Sequence, residues 1–201
     1  RQTLCIGAFG PDEDFFSGKG AMEALAAGFG LSFTYERETT PWLHPGISAA
    51  VYCNGKRLGV FGKLANDVTG ELKLPKDSRS NQNIYLGEID WVAFHALVPA
   101  AIHYTPIPAL APVQRDLALV APESTECGTL IDEMQRACKQ LSKVELFDIY
   151  RGEKLGAGKK SMAFSLYFQP TDAPFAADEV DRFVKKILGN LKFKLGIEIR
   201  E

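Results

Sequence analysis

The 201 residues carry 23 Lys and Arg against 25 Asp and Glu, a formal charge of −2; that is enough chain for one large domain or two small ones, with no general electrostatic pull toward nucleic acid. Cys5, Cys53, Cys127 and Cys138 lie far apart, form no CxxC and have no histidine at ligand spacing, which argues against zinc and for free thiols in a reducing, cytoplasmic setting. No apolar run approaches the roughly 18–20 residues of a membrane helix, no signal peptide leads, and the absence of an initial Met creates the expectation of a piece of a longer protein.

In chain order, QTLCIGAF reads as a strand, SGKGAMEALAAGFG as a helix of small residues ended by glycine, and LSFTYE as a second strand. Strands over 48–53 and 57–64 flank Asn54-Gly55, a strong short-range hairpin signal. NQNIYLGEIDW supplies one more strand, followed by a short helix over 92–98. His44, in LHPG, is read as turn chemistry beside Pro45 and Gly46 rather than as a functional imidazole. Trp42 and Trp91 suit a core or a subunit contact. The run HYTPIPALAP, residues 103–112, holds three prolines in ten residues and reads as an extended connector between a domain over 1–102 and another over 113–201.

The second half alternates more legibly. QRDLALVA is a strand, residues 127–141 carry apolar side chains at helical spacing, and VELFDIYR and SMAFSLYF are strands. A helix over 178–191 and a last strand, FKLGIEIR, complete a βαββαβ order, the ferredoxin-like split unit with both helices on one face of the sheet. The linking stretch GEKLGAGKKS imitates a phosphate-binding loop. However, five residues separate Gly152 from Gly158, Lys160 stands where Ser or Thr should follow Lys159, and a strand rather than a helix comes next. It reads as a basic hairpin turn.

Period-2 alternation points Leu117, Leu119, Phe147, Ile149, Met162, Phe164, Leu166, Phe168, Leu195, Ile197 and Ile199 toward the helices. Asp116, Ala118, Asp148, Tyr150, Ser161, Ala163, Ser165, Tyr167, Lys194, Glu198 and Arg200 then fall on the open face. Small side chains there admit a flat ligand, and tyrosines can stack on a base or hydrogen-bond to it. Arg115 and Asp116 read as an internal ion pair holding the linker rather than as a guanidinium positioned at the strand edge.

APVQRDLALV, VELFDIYRGEKLGAGKKSMAFSLYFQ, EVDRFVKKIL and the closing Arg200 together resemble the C-terminal domain of the bacterial phenylalanine–tRNA ligase beta-subunit family. DFFSGKGAMEAL, LHPGISAAVYCNGKRLGVFGKL and YLGEIDW resemble the catalytic-like module that precedes it. The resemblance implies an α+β chain: an antiparallel-sheet, class II synthetase-like but inactive module, then a ferredoxin-like anticodon-binding domain. It implies a cytoplasmic aminoacyl-tRNA synthetase of two alpha and two beta subunits that charges the phenylalanine tRNA using ATP and magnesium. Catalysis then lies in the alpha subunit, and this chain holds no catalytic residue and no cofactor of its own. Arg1, Arg37, Arg57 and Arg79, the arginines of the first half, lack the strand context of an ATP-binding arginine.

The chain departs from the family pattern at Ile47, where an Arg is usual, at residues 63–66, and at Pro174-Phe175-Ala176, where a hydroxyl-capped helix start is usual. On this reading Tyr150, Arg151, Lys159, Lys160, Tyr167, Lys194 and Arg200 form the RNA-binding set, with Lys154 nearby. The basic residues meet phosphates and the tyrosines meet an anticodon base. Two alternatives stay open: a purely structural platform for assembling the catalytic subunit, and a small-molecule regulatory module of ferredoxin-like fold.

Overall fold

In the computed structural model, which describes residues 2–71, 83–101, 104, 106–152 and 155–199, Asn54 and Gly55 turn with φ of 49° and 75°. That left-handed pair matches the twist of the strands it joins. It pairs β3 (Leu43–Cys53) with β4 (Lys56–Leu64), and β1 (Thr3–Phe9), β2 (Thr34–Arg37) and β5 (Ile84–Asp90) complete an antiparallel sheet of order β1-β5-β4-β3-β2. Helices α1 (Phe15–Gly28), α2 (Asn66–Glu71) and α3 (Trp91–His95) accompany it, α2 being unforeseen from sequence. The chain divides into two compact units, Arg1–Tyr104 and Thr105–Glu201.

A capping box opens α1. Ser17 N–H donates to Asp14 Oδ1 at 2.7 Å, and Asp14 N–H donates to Ser17 Oγ at 3.0 Å. Gly30, at φ 69°, ends it, and Leu31 N–H returns to Ala26 O at 2.9 Å. The helix lies close on the sheet because a Cβ at Gly18 would come within 2.8 Å of the Phe61 ring and one at Gly87 within 2.7 Å of Met22 Sδ. Met22, Ala26, Val51, Phe61, Ile89 and Phe94 are the centre of the core so formed, and Trp91 packs at its edge. Strand β3 begins five residues before the expected 48. His44, Pro45 and Gly46 lie inside it as an irregularity, with Gly46 N–H donating to His44 Nδ1 at 3.1 Å.

The second unit contains β6 (Val113–Pro122), α4 (Cys127–Ala137), β7 (Leu141–Tyr150), β8 (Lys159–Phe168), α5 (Glu179–Leu195) and β9 (Glu198–Ile199). Its sheet order, β7-β8-β6-β9, is antiparallel throughout, the expected ferredoxin-like arrangement. Leu130 and Met134 of α4, with Val180, Ile187 and Leu191 of α5, pack on Leu117, Leu119, Met162, Phe164, Leu166 and Phe168. No described helix of this unit lies on the opposite face.

Three expectations are corrected. Helix α4 stops at Ala137 and Leu141 opens β7 instead. Phe147 does not face the core. The pairing of β7 with β8 shifts between Leu146 and Asp148, a bulge that turns Val144 and Leu146 inward and leaves Phe147 59% exposed. The expected last strand is only two residues long, because residues 193–195 continue α5 until Gly196, at φ 65°, stops it. Leu195 still packs on the core from the helix, while Ile199, paired with Leu119, is 49% exposed.

Candidate nucleic-acid interface

Strand pairing arranges the open face of the second unit in four rungs. Lys143, Tyr167 and Gln114 form the first; Glu145, Ser165 and Asp116 the second; Asp148, Ala163 and Ala118 the third; Tyr150, Ser161 and Val120 the fourth. The bulge keeps Asp148 and Tyr150 on the expected side while bringing Lys143 and Glu145 there as well. Sequence reasoning missed Gln114, Lys143 and Glu145. The available signal was the phase break in VELFDI, where apolar residues occupy both parities.

The first two rungs are closed on themselves. Ser165 Oγ donates to Asp116 Oδ1 at 2.7 Å, and Gln114 Nε2 donates to the same oxygen at 3.1 Å. Both bonds hold the Asp116 carboxyl below its ordinary range, that of Ser165 most strongly. Lys143 Nζ lies 2.5 Å from Glu145 Oε1 and 5.5 Å from the centre of the Tyr167 ring. Hydrogen bonding to Glu145 and burial push the Tyr167 hydroxyl up. Tyr167 is thus half-buried with both ring and hydroxyl engaged, whereas Arg115 reaches away to Asp181 at 3.6 Å.

The other two rungs are different. Ala163 and Ala118, both half-buried, make a low floor, bordered by the exposed side chains of Asp148 and Tyr150, the latter 39% exposed, and Ser161 beside Tyr150 is buried. Beyond Tyr150 the hairpin gathers positive charge. Arg151 binds Glu123 through Nε at 3.0 Å and Nη2 at 2.8 Å, both to Oε1, which lowers the carboxyl pKa of Glu123 and raises that of the guanidinium. Lys160 Nζ donates to Glu123 O at 2.9 Å. Lys159 is exposed and has no ion pair among the described residues.

Tyr150 and Lys159 therefore fall together at one end of the face, with Tyr167 at the other, while Lys160, paired with the buried Ala121, starts from the opposite side of the sheet and joins Arg151 at Glu123 on the edge of the hairpin. Lys194 does not belong with them. It lies on α5, on the helical side, and donates to Glu133 Oε2 at 2.6 Å. Arg200 and Lys154 lie outside the described residues, as does Arg79. In the first unit Arg57 is taken up by Glu38, with Nε 3.0 Å from Oε2 and Nη2 on Oε1. Among the described residues no cluster of three or more His, Cys, Asp or Glu is placed to hold a metal ion, and no helix is long and apolar enough to cross a membrane.

Residues 1–91 match the family model described as the Phenylalanyl tRNA synthetase beta chain CLM domain, and residues 108–200 match the Ferredoxin-fold anticodon binding domain. The chain is similar to the phenylalanine–tRNA ligase beta subunit of Carboxydothermus hydrogenoformans, 32% identical over 191 residues. It is also similar to those of Streptococcus pneumoniae strain R6, 33% over 189, and Geobacillus kaustophilus, 34% over 190. Each match covers 93% of this chain and 23% of the relative, so the chain spans about a quarter of the length of the curated relatives it matches.

Proposed function

The chain belongs to the phenylalanine–tRNA ligase beta-subunit family, and from that premise we propose that it serves ATP-dependent charging of the phenylalanine tRNA without performing the chemistry. Its second unit receives the anticodon end of the tRNA on the open sheet face, in a cytoplasmic ligase of two alpha and two beta subunits. ATP and magnesium act in the catalytic subunit. The observation that carries the reading is the low floor of Ala118 and Ala163 beside Tyr150, next to the basic hairpin. A base fits such a floor and stacks on Tyr150, while Lys159 and Lys160 meet backbone phosphate.

The second unit has 14 Lys and Arg against 14 Asp and Glu from Tyr104 on, so its contribution to affinity is local rather than a whole-domain field. Tyr150→Ala in the assembled ligase is expected to raise the Kd for the tRNA about ten-fold, in keeping with about 1–3 kcal/mol for one stacked base. Tyr167→Ala is expected to change it far less. Reversing Lys159 and Lys160 to Glu should lower charging efficiency and flatten the dependence of affinity on salt. Equal affinities for parent and Tyr150→Ala would remove the open face from the RNA surface.

The first unit supports a scaffolding role beside this one. Phe9 and Phe16 are 75% and 73% exposed, and Leu4, Leu25, Phe29 and Trp91 line an apolar hollow of about 380 Å³. Its balance of 9 basic to 11 acidic residues before Tyr104 suits a protein contact better than RNA. Phe16→Ser is expected to weaken co-purification with the catalytic subunit while leaving the fold of the first unit intact by circular dichroism.

A further inference from the structure

Glu123 stands one residue past β6, beside the hairpin, and on charge alone a carboxylate there opposes the binding of phosphate. Its contacts argue for another role. The Glu123 N–H donates to Gly158 O at 2.8 Å, its carbonyl accepts from Lys160 Nζ at 2.9 Å, and its carboxylate takes the Arg151 guanidinium in the paired geometry above. One residue thus holds both ends of the loop joining β7 to β8: Arg151 directly follows β7, and Gly158 directly precedes β8. The next position carries the consequence to the face. A Cβ at Gly152 would lie 2.2 Å from the Tyr150 hydroxyl, so the tip of the Tyr150 side chain rests against the backbone that Arg151 anchors.

We infer that Glu123 is a positioning residue for the RNA surface: by pinning Arg151 and both ends of the hairpin loop it presets Tyr150, Lys159 and Lys160 before the nucleic acid arrives. This rests on the reading of the open face given above. The gain is preorganisation, since groups already ordered lose less freedom on binding. Glu123 also screens the cluster it builds. Removing it makes the hairpin more positive by one charge, so simple attraction to phosphate and preorganisation predict opposite signs.

The test uses the assembled ligase with a transcript of the phenylalanine tRNA, measuring KM for tRNA and kcat separately. Glu123→Gln is expected to raise KM about three-fold, the scale of an exposed ion pair, with kcat unchanged. Gly152→Ala, which leaves the Glu123 pair in place and displaces only the end of Tyr150, is expected to raise KM as well. A KM for Glu123→Gln equal to or below the parent's overturns the inference. Tyr150→Ala separates the two ideas: if its KM does not move, the reading of the face fails, whereas a raised KM there beside an unmoved one in Glu123→Gln sinks only the role of Glu123.

Discussion

Both units lay helices against one face of an antiparallel sheet, yet they use small residues for opposite ends. In the first unit the small positions of the strands include glycines packed against backbone: a Cβ at Gly59 would fall 1.8 Å from Glu88 O, and one at Gly62 would fall 2.5 Å from Ile47 O. In the second, β6, β7 and β8 contain no glycine at all, and the small positions of the open face are Ala118, Ala163, Ser161 and Ser165. A glycine in a strand therefore marks crowding between neighbouring chains in one unit. An alanine marks open space above the sheet in the other. The lesson is that a run of small residues signals a ligand floor only where a side chain would have room.

The sharpest way to break this contrast is to add one methyl to each kind of position. Gly59→Ala must move the backbone of β5, not merely a side chain, and is expected to cost the first unit about 3 kcal/mol. Denaturant unfolding followed through Trp42 and Trp91, both in that unit, reads the loss. Ala163→Leu, on the half-buried floor of the second unit, is expected to leave stability within about 0.5 kcal/mol while raising the tRNA KM of the assembled ligase. Should Gly59→Ala prove as mild as Ala163→Leu, the distinction between the two sheets falls.

A smaller effect tests the bulge that shapes the open face. Leu146 packs on the core and Phe147 points to solvent. Leu146→Ala is expected to lower stability by about 2 kcal/mol and Phe147→Ala by no more than about 0.5 kcal/mol. The reverse ranking would restore unbroken alternation along β7 and put Lys143 and Glu145 off the face.

The same strand shows where the sequence was readable. Wherever a local rule governs, the elements could be foreseen: Asn54-Gly55 demands its hairpin, and the alternation of residues 161–168 carries Met162, Phe164, Leu166 and Phe168 into the core without interruption. Reading failed where a long-range contact overrode the local pattern. Phe147 has strong strand propensity and fits either face by sequence; only its pairing with β8 decides. Residues 193–195 alternate like a strand, yet Leu191 and Leu195 pack on the core at helical spacing and Gly196 supplies the stop. Lys194 followed that error. Of the candidate site, Tyr150, Arg151, Lys159 and Lys160 were legible from the hairpin, but Glu123 was not. It lies 28 residues from Arg151, and nothing in its neighbourhood foretells the pairing.

Lys194 leads to the last and smallest expected effect, on the helical side. Glu133 of α4 accepts from Lys194 Nζ at 2.6 Å, from Asn190 Nδ2 at 3.1 Å and from Arg136 Nη1 at 2.9 Å. Chiefly through Lys194, these bonds lower its carboxyl from the ordinary 4.5 to about 2. Because the folded value is the depressed one, the stabilisation is fully present above about pH 4.5 and disappears as the pH falls toward 2. Lys194 and Arg136 are 45% and 67% exposed, so water and salt screen the cluster and the change is modest. Acid titration of the second unit should show stability falling across that window, with Glu133→Gln lacking this part of the slope and Lys194→Met reducing it. Parallel acid profiles for parent and Glu133→Gln would mean that the clasp between α4 and α5 contributes nothing, leaving the apolar contacts of Leu130, Met134, Ile187 and Leu191 to hold the two helices on their side of the sheet.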